Sequence, residues 1–154
     1  MPTLHLLVGL PGSGKTTRAR ELEDAERAVR LTPDEWMQPL FGAGDSDGKR
    51  AVLEHELLWG VAARVLSLGV NVVLDYGLWS RRERELYRVR AQAVGALARL
   101  HVLDVPLDEL WLRLQARNAA LPARTFVVTR DELDHWHGWF ERPDATELAA
   151  YASG

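Results

Sequence analysis

Residues 9 to 16 read Gly-Leu-Pro-Gly-Ser-Gly-Lys-Thr, the G-x-x-x-x-G-K-[ST] spacing of a loop that cradles phosphate, directly after the apolar run Leu4-His5-Leu6-Leu7-Val8. A triphosphate spreads its charge over many oxygens, and glycines let successive backbone N–H groups turn inward to meet them. On this reading Gly12, Ser13, Gly14 and Thr17 belong to the nucleotide-binding set. Lys15 reaches the β and γ oxygens, and Thr16 offers its hydroxyl to Mg²⁺. The helix that opens here turns its positive end toward the anion. Lysine is a rare choice in this chain, which has 17 arginines and two lysines, Lys15 and Lys49. One of the two stands where a compact, flexible ammonium is needed rather than a planar fork.

Three further places carry residues able to do chemistry. Asp75 closes the apolar run Val72-Val73-Leu74, where an acidic residue can hold Mg²⁺ through water; a turn or helix-capping aspartate would look the same. Asp34 follows a second strand-like run, where a carboxylate facing the γ-phosphate can accept the proton of an attacking hydroxyl. An acid in the first turn of a helix is also favoured by the dipole alone. Arg113 and Arg117 lie four apart on one predicted helix face, followed by Asn118 and an irregular segment. They could swing over the nucleotide and neutralise charge in flight, or stand as solvated surface arginines.

The elements that must position these residues alternate strand and helix, the pattern of an α/β fold with a parallel sheet covered on both faces. A strand from about residue 3 leads into a helix over Lys15 to Glu26, and Ala28 to Leu31 form a short second strand. Thr32-Pro33-Asp34-Glu35 reads as a capping box. Residues 42 to 48 read as a loop, followed by one long helix from Lys49 to Leu68 that Gly69 ends. Val70 to Leu74 form the third strand, and Ser80 and Glu83 cap a helix running to Gly95. Arg99 to Val105 form the fourth strand, and Pro106 to Asn118 a helix with apolar residues at three- and four-residue spacing. Residues 119 to 128 are irregular, Thr129 and Glu132 cap a last helix to Phe140, and Pro143 opens a short polar tail. In such a sheet, ligands lie outside the carboxyl ends of the strands, so the phosphate loop, Asp34 and Asp75 face one crevice.

The chain of 154 residues, 47% hydrophobic, reads as one domain. The absence of cysteine excludes disulfides and thiolate metal sites. A first strand at about residue 3 leaves no room for a leader, and no apolar run approaches a membrane span. The expectation is a cytoplasmic protein with no membrane partner. A net charge of −3 gives no global attraction to nucleic acid. Arg81, Arg82, Arg84, Arg88 and Arg90 crowd one stretch, but Glu83 and Glu85 intersperse them, so the stretch reads as a solvated helix face. His135 and His137 lack the i, i+4 spacing of helical metal ligands. Trp36 and Trp79 sit near strand ends, where they could contact substrate.

Together, Gly-Leu-Pro-Gly-Ser-Gly-Lys-Thr-Thr-Arg, Asp34, Val-Val-Leu-Asp at the third strand and Arg113-x-x-x-Arg117-Asn118 resemble the small P-loop kinases grouped as AAA-type ATP-binding proteins. That group includes chloramphenicol phosphotransferase, zeta-toxin-like kinases and the kinase domain of polynucleotide kinase. The resemblance implies a P-loop NTPase fold with sheet order 2-3-1-4, ATP and Mg²⁺ as cofactors, Asp34 as general base and a short lid over about residues 113–128 that carries Arg117. A fifth strand, frequent in such kinases, has no obvious counterpart here. Polynucleotide-type members tend to carry an arginine three residues after the base, and this chain has Met37. Without that cation a phosphorylated substrate loses an expected partner, whereas an uncharged hydroxyl compound loses nothing. The expected acceptor is therefore the hydroxyl of a small molecule. An ATPase switch acting on a protein partner and a polynucleotide or nucleotide kinase are the alternatives.

Overall fold

The computed structural model describes residues 1–42 and 47–152. Its central strand is β1 (Thr3–Val8), buried at every residue, as a parallel strand covered on both faces must be. β3 (Val72–Gly77) and β4 (Leu97–Val102) flank it, and β2 (Val29–Leu31) lies beyond β3. All pairings are parallel and the order is β2-β3-β1-β4, the order that the resemblance implies.

Helix α1 (Lys15–Ala25) covers one face, setting Ala19 and Leu22 against Leu7 and Val73. The other face meets α2 (Pro33–Phe41), the helical run 49–67 and α5 (Arg81–Ala93), through Met37, Leu58, Ala62, Tyr87 and Ala91. A separate cluster, Leu110, Leu114, Val128 and Leu133, joins α6 (Leu107–Ala119) and α7 (Arg130–Trp139) to Leu10 of the phosphate loop. No helix among the described residues is long and apolar enough to cross a membrane.

Several expectations are corrected. The helix expected over Lys49 to Leu68 is instead α3 (Lys49–Val52), a π-helical turn (Leu53–Leu58) and α4 (Trp59–Ser67). Tyr76 donates from its hydroxyl to Glu54 O at 2.9 Å and Arg90 donates to His55 O at 2.9 Å, so side chains compete for carbonyls of the helical ladder where it widens. β3 starts at Val72 rather than Val70, because Val70 N bonds back to Val65 O and Gly69 takes φ 82°, which closes the helix end. It also runs past Asp75 to Gly77, with an irregularity opposite Leu7 at Asp75 and Tyr76. β4 lies two to three residues earlier than expected. Of the loop expected over 42–48, residues 43–46 lie outside the described residues.

The largest departure concerns the arginine-rich stretch and the tail. Arg84 is fully buried rather than solvated, and the tail folds into a short α8 (Ala145–Leu148) whose Glu147 is 5% exposed. The two meet as a fork: Nε to Oε2 at 2.5 Å and Nη2 to Oε1 at 2.9 Å. The remaining Arg84 terminal nitrogen, Nη1, donates to Leu78 O and Trp79 O. The described residues contain four strands and no fifth; the tail touches the sheet edge where Ala152 N donates to Ala98 O at 2.9 Å.

Removing one partner of such a pair leaves a buried charge uncompensated. Glu147→Leu or Arg84→Leu should cost about 3–5 kcal/mol, roughly 10 °C in melting temperature, and the double variant less than either. Denaturant or thermal melts of the three variants check this, and a loss below about 1 kcal/mol would mean that water reaches the pair.

Candidate active site

The carboxyl ends of β1, β2 and β3 bring the phosphate loop, Asp34 and Asp75 together. Gly12 (φ 84°) and Gly14 (φ 93°) occupy the left-handed region, and a Cβ on Gly12 would meet Leu114 Cγ at 3.0 Å. Only glycine lets the loop take this path beneath α6. Ser13 is buried between them and its amide bonds to Leu10 O at 3.1 Å. The helical bond Arg18 N to Gly14 O closes the first turn of α1, so the amides of Lys15, Thr16 and Thr17 precede it and face outward from the helix start. These are the donors an anion requires.

Lys15 donates to Leu10 O at 3.3 Å across the loop. Burial holds its pKa below the ordinary lysine value; Asp75 and then Asp34 pull it back up, while Arg117 and Arg50 push it down. Four charged groups from four segments therefore act on one ammonium.

Asp75 is 6% exposed, and its Oδ2 accepts from Thr16 Oγ1 at 2.8 Å and from Thr32 Oγ1 at 3.0 Å. The irregularity in β3 falls at this residue, where a bulge re-aims a side chain beside a site. Thr32 does not form the expected capping box: its side chain makes no bond to the helix start, and Glu35 pairs with Arg30 at 2.9 Å instead of reaching back. Arg30 Nη1 donates to Thr32 Oγ1 at 2.6 Å, which orients the hydroxyl proton toward Asp75. Pairing with Glu23 and Glu35 raises the Arg30 pKa despite the opposing cost of burial. The Thr-x-x-Glu spacing of a cap thus serves the site, and the sequence alone could not distinguish the two uses.

Asp34 stands apart from this network. It is 43% exposed in its side chain and forms an ion pair with Arg50 of α3. Arg117 donates to Phe126 O at 3.0 Å, and Asn118 clamps Val128 through both its amide groups. These bonds tie the segment between α6 and α7 back to α6, and Gln38 of α2 donates to Thr125 O at 3.3 Å. Burial lowers the Arg117 pKa, Asp34 opposes the shift, and Arg117 Nε is buried without a partner among the described residues. Arg113 lies on the outer side, donating to Gly12 O at 3.4 Å and to Glu109 at 2.7 Å. Thr17 is exposed in the first turn of α1. The described residues contain no cluster of three or more histidine, aspartate or glutamate side chains that would hold a metal by themselves.

One residue outside the motifs supports the loop. Trp79 donates from its indole to Gly9 O at 3.1 Å and packs against Trp136, so it props the start of the phosphate loop instead of facing the crevice. Arg50, which meets Asp34, carries no local sequence signal, because its partner is 16 residues away.

A family model described as an AAA domain matches residues 4–143. A search of the curated proteins finds no match. Among solved structures, a chain of the Pnkp1/Rnl/Hen1 complex is 29% identical with a TM-score of 0.65, covering 73% of this chain and 38% of its own length. This chain thus spans well under half of that relative. Kti12 from Chaetomium thermophilum, solved with ADP-AlF3, is 19% identical with a TM-score of 0.73, over 93% of this chain and 82% of that one. The Mycobacterium tuberculosis APS kinase CysC, solved with AMPPNP and APS, is 22% identical with a TM-score of 0.64, over 92% and 83%.

Thr32→Val removes the hydroxyl while keeping the shape, which strips Asp75 of one donor and leaves Arg30 without its acceptor. The variant should lose about 1–3 kcal/mol of stability and should bind Mg-nucleotide more weakly, whereas Thr32→Ser should retain both. Melting curves with and without Mg-nucleotide check this; a Val variant that loses about 1 kcal/mol or less and binds nucleotide normally would return Thr32 to a capping role.

Proposed function

Because the chain belongs to the AAA domain family and resembles the small P-loop kinases, we propose that it is an ATP-dependent kinase that moves the γ-phosphoryl group to a hydroxyl of a small molecule. The observation that carries this is the separation of two carboxylates around one ammonium. Asp75 is buried and bound to two threonine hydroxyls, whereas Asp34 stands half-exposed at the mouth, where a substrate hydroxyl can reach it.

The oxygen donors Thr16 and Asp75 fit a hard cation, and Mg²⁺ would supply charge neutralisation on the phosphate oxygens there. The loop amides and Lys15 bind the triphosphate. Asp34 accepts the proton as the acceptor oxygen bonds to the γ-phosphorus and the bond to the β–γ bridging oxygen breaks, its electron pair leaving with ADP. Arg117 stands within the field of Asp34 and adds positive charge where the phosphoryl group passes. The lid folded over the crevice excludes water, which suppresses hydrolysis in favour of transfer.

The α5 arginines do not offer a row of phosphate contacts: Arg84 is buried on Glu147, Arg88 pairs with Glu85, and Arg90 covers Trp59. This favours a small acceptor over a polynucleotide.

Mg-ATP at a hundred times its dissociation constant should stabilise the protein by about 2.7 kcal/mol, a melting shift of roughly 5–10 °C. Lys15→Ala should remove most of that shift. Asp34→Asn should keep it while transfer to an acceptor falls by about 10² to 10⁴. Release of free phosphate that ignores added acceptors and survives Asp34→Asn would instead indicate an ATPase switch.

A further inference from the structure

Arg30 belongs to β2, the strand at the edge of the sheet, and to none of the motifs that mark the site. Its guanidinium is nevertheless held in one place. Nε donates to Glu23 of α1 at 3.0 Å and Nη1 donates to Glu35 of α2 at 2.9 Å, with 13% of the side chain exposed. Nη1 also donates to Thr32 Oγ1, 2.6 Å away. We propose that Arg30 is a positioning residue for the metal: by donating to Thr32 it commits that hydroxyl to Asp75, which keeps the carboxylate turned to the cation and away from Lys15. This rests on the kinase reading above and names a residue that sets how strongly Mg²⁺ is held there.

A hydroxyl has one proton to give and lone pairs to accept with, whereas a guanidinium can only give. With Arg30 on the accepting side of Thr32, the single Thr32 proton is donated to Asp75 Oδ2 at 3.0 Å. Thr16 donates to that same oxygen at 2.8 Å. The charge behind the first bond strengthens the second, because bonds in series polarise one another where the dielectric is low. Asp75 is 6% exposed, so water contributes little to holding it. Both donors converge on Oδ2, and Oδ1 takes no hydrogen bond from the described residues. One oxygen of the carboxylate is thus left to meet the hydration shell of a hard cation.

The competing arrangement is an ion pair between Asp75 and Lys15. Asp75 is the carboxylate that acts most strongly on the Lys15 ammonium, yet Lys15 donates to Leu10 O at 3.3 Å instead. Without Arg30, Thr32 can turn its proton elsewhere, and Asp75 then keeps only the bond from Thr16 and can swing to the ammonium. Such a pair would occupy the carboxylate of the metal and the cation of the phosphates at once. A lysine at position 30 would restore the charge between Glu23 and Glu35 without the planar fork that reaches both and Thr32 together.

The test is calorimetry of ATP binding across a Mg²⁺ titration, with melting curves alongside, for Arg30→Met, Thr32→Val and the double variant. Arg30→Met should raise the Mg²⁺ concentration at half-saturation by roughly 3- to 10-fold. Thr32→Val should do the same, and the double variant should exceed the larger single effect by less than about twofold, because Arg30 acts through Thr32. Arg30→Lys should recover only part of the wild-type behaviour, and it carries the same comparison with Thr32→Val if Arg30→Met does not fold. An Arg30→Met protein that melts lower but keeps the wild-type Mg²⁺ dependence would make Arg30 a structural tie and overturn the proposal. Effects that multiply in the double variant would overturn it too, since Arg30 would then act by another route. Either result leaves the kinase reading standing, whereas a wild type that binds no ATP at any Mg²⁺ concentration would overturn both.

Discussion

One carboxylate oxygen ties the site together. Asp75 Oδ2 accepts from Thr16, near the start of α1 after the phosphate loop, and from Thr32, which joins β2 to α2, and Asp75 itself lies in β3. Three chain segments far apart in sequence thereby share a single acceptor in a nearly dry setting, where an unmet donor or acceptor is costly. Arg30 extends the chain of bonds to Glu35 and Glu23, so β2, the start of α2 and the end of α1 move with the network. The irregularity in β3 allows this aim: with two residues opposite one of β1, Asp75 can face the loop while Tyr76 packs into the core and bonds Glu54 O.

The loop rests on a second support reached through the far end of the chain. Trp79 holds Gly9 O, and the segment before it is fixed by Arg84, whose charge is compensated by Glu147. The backbone at Gly77 (φ 92°) and Leu78 (φ 49°) stays in the left-handed region over two successive residues. For Leu78 that conformation is unfavourable by itself, and the Arg84 bond to its carbonyl helps hold it. The C-terminal helix α8 is therefore coupled to the phosphate loop through buried charge rather than through the sheet.

What could be read from the residues follows from where each constraint is written. The phosphate loop and most helix starts depend on local spacing, so Gly12, Gly14, Ser80 and Thr129 announce them, whereas the strand order was implied only by the family resemblance. Ser80 and Thr129 do accept from Glu83 and Glu132 as their spacing implies. Thr32 has the same spacing and a different role, because a carboxylate 43 residues away competes for its hydroxyl. Arg84 sits in a run of alternating charges that looks solvated, and only Glu147, 63 residues on, makes its burial tolerable. The ion pair of Arg50 with Asp34 has no local signal either, since the pairing of α3 with α2 is a tertiary fact. Local signals carried the elements; the long-range polar bonds that build the site left no local trace.

In the mechanism proposed above, Asp75, oriented by Thr16 and Thr32, organises the metal end of the nucleotide. The most direct measurement is ATP affinity with Mg²⁺ and with a chelator, in the wild type and in Asp75→Asn, which keeps the hydrogen-bond acceptor and removes the charge. The wild type should bind Mg-ATP at least tenfold more tightly than metal-free ATP, about 1.4 kcal/mol, and Asp75→Asn should erase most of that difference while metal-free binding persists. An undiminished Mg²⁺ dependence in Asp75→Asn would contradict the account.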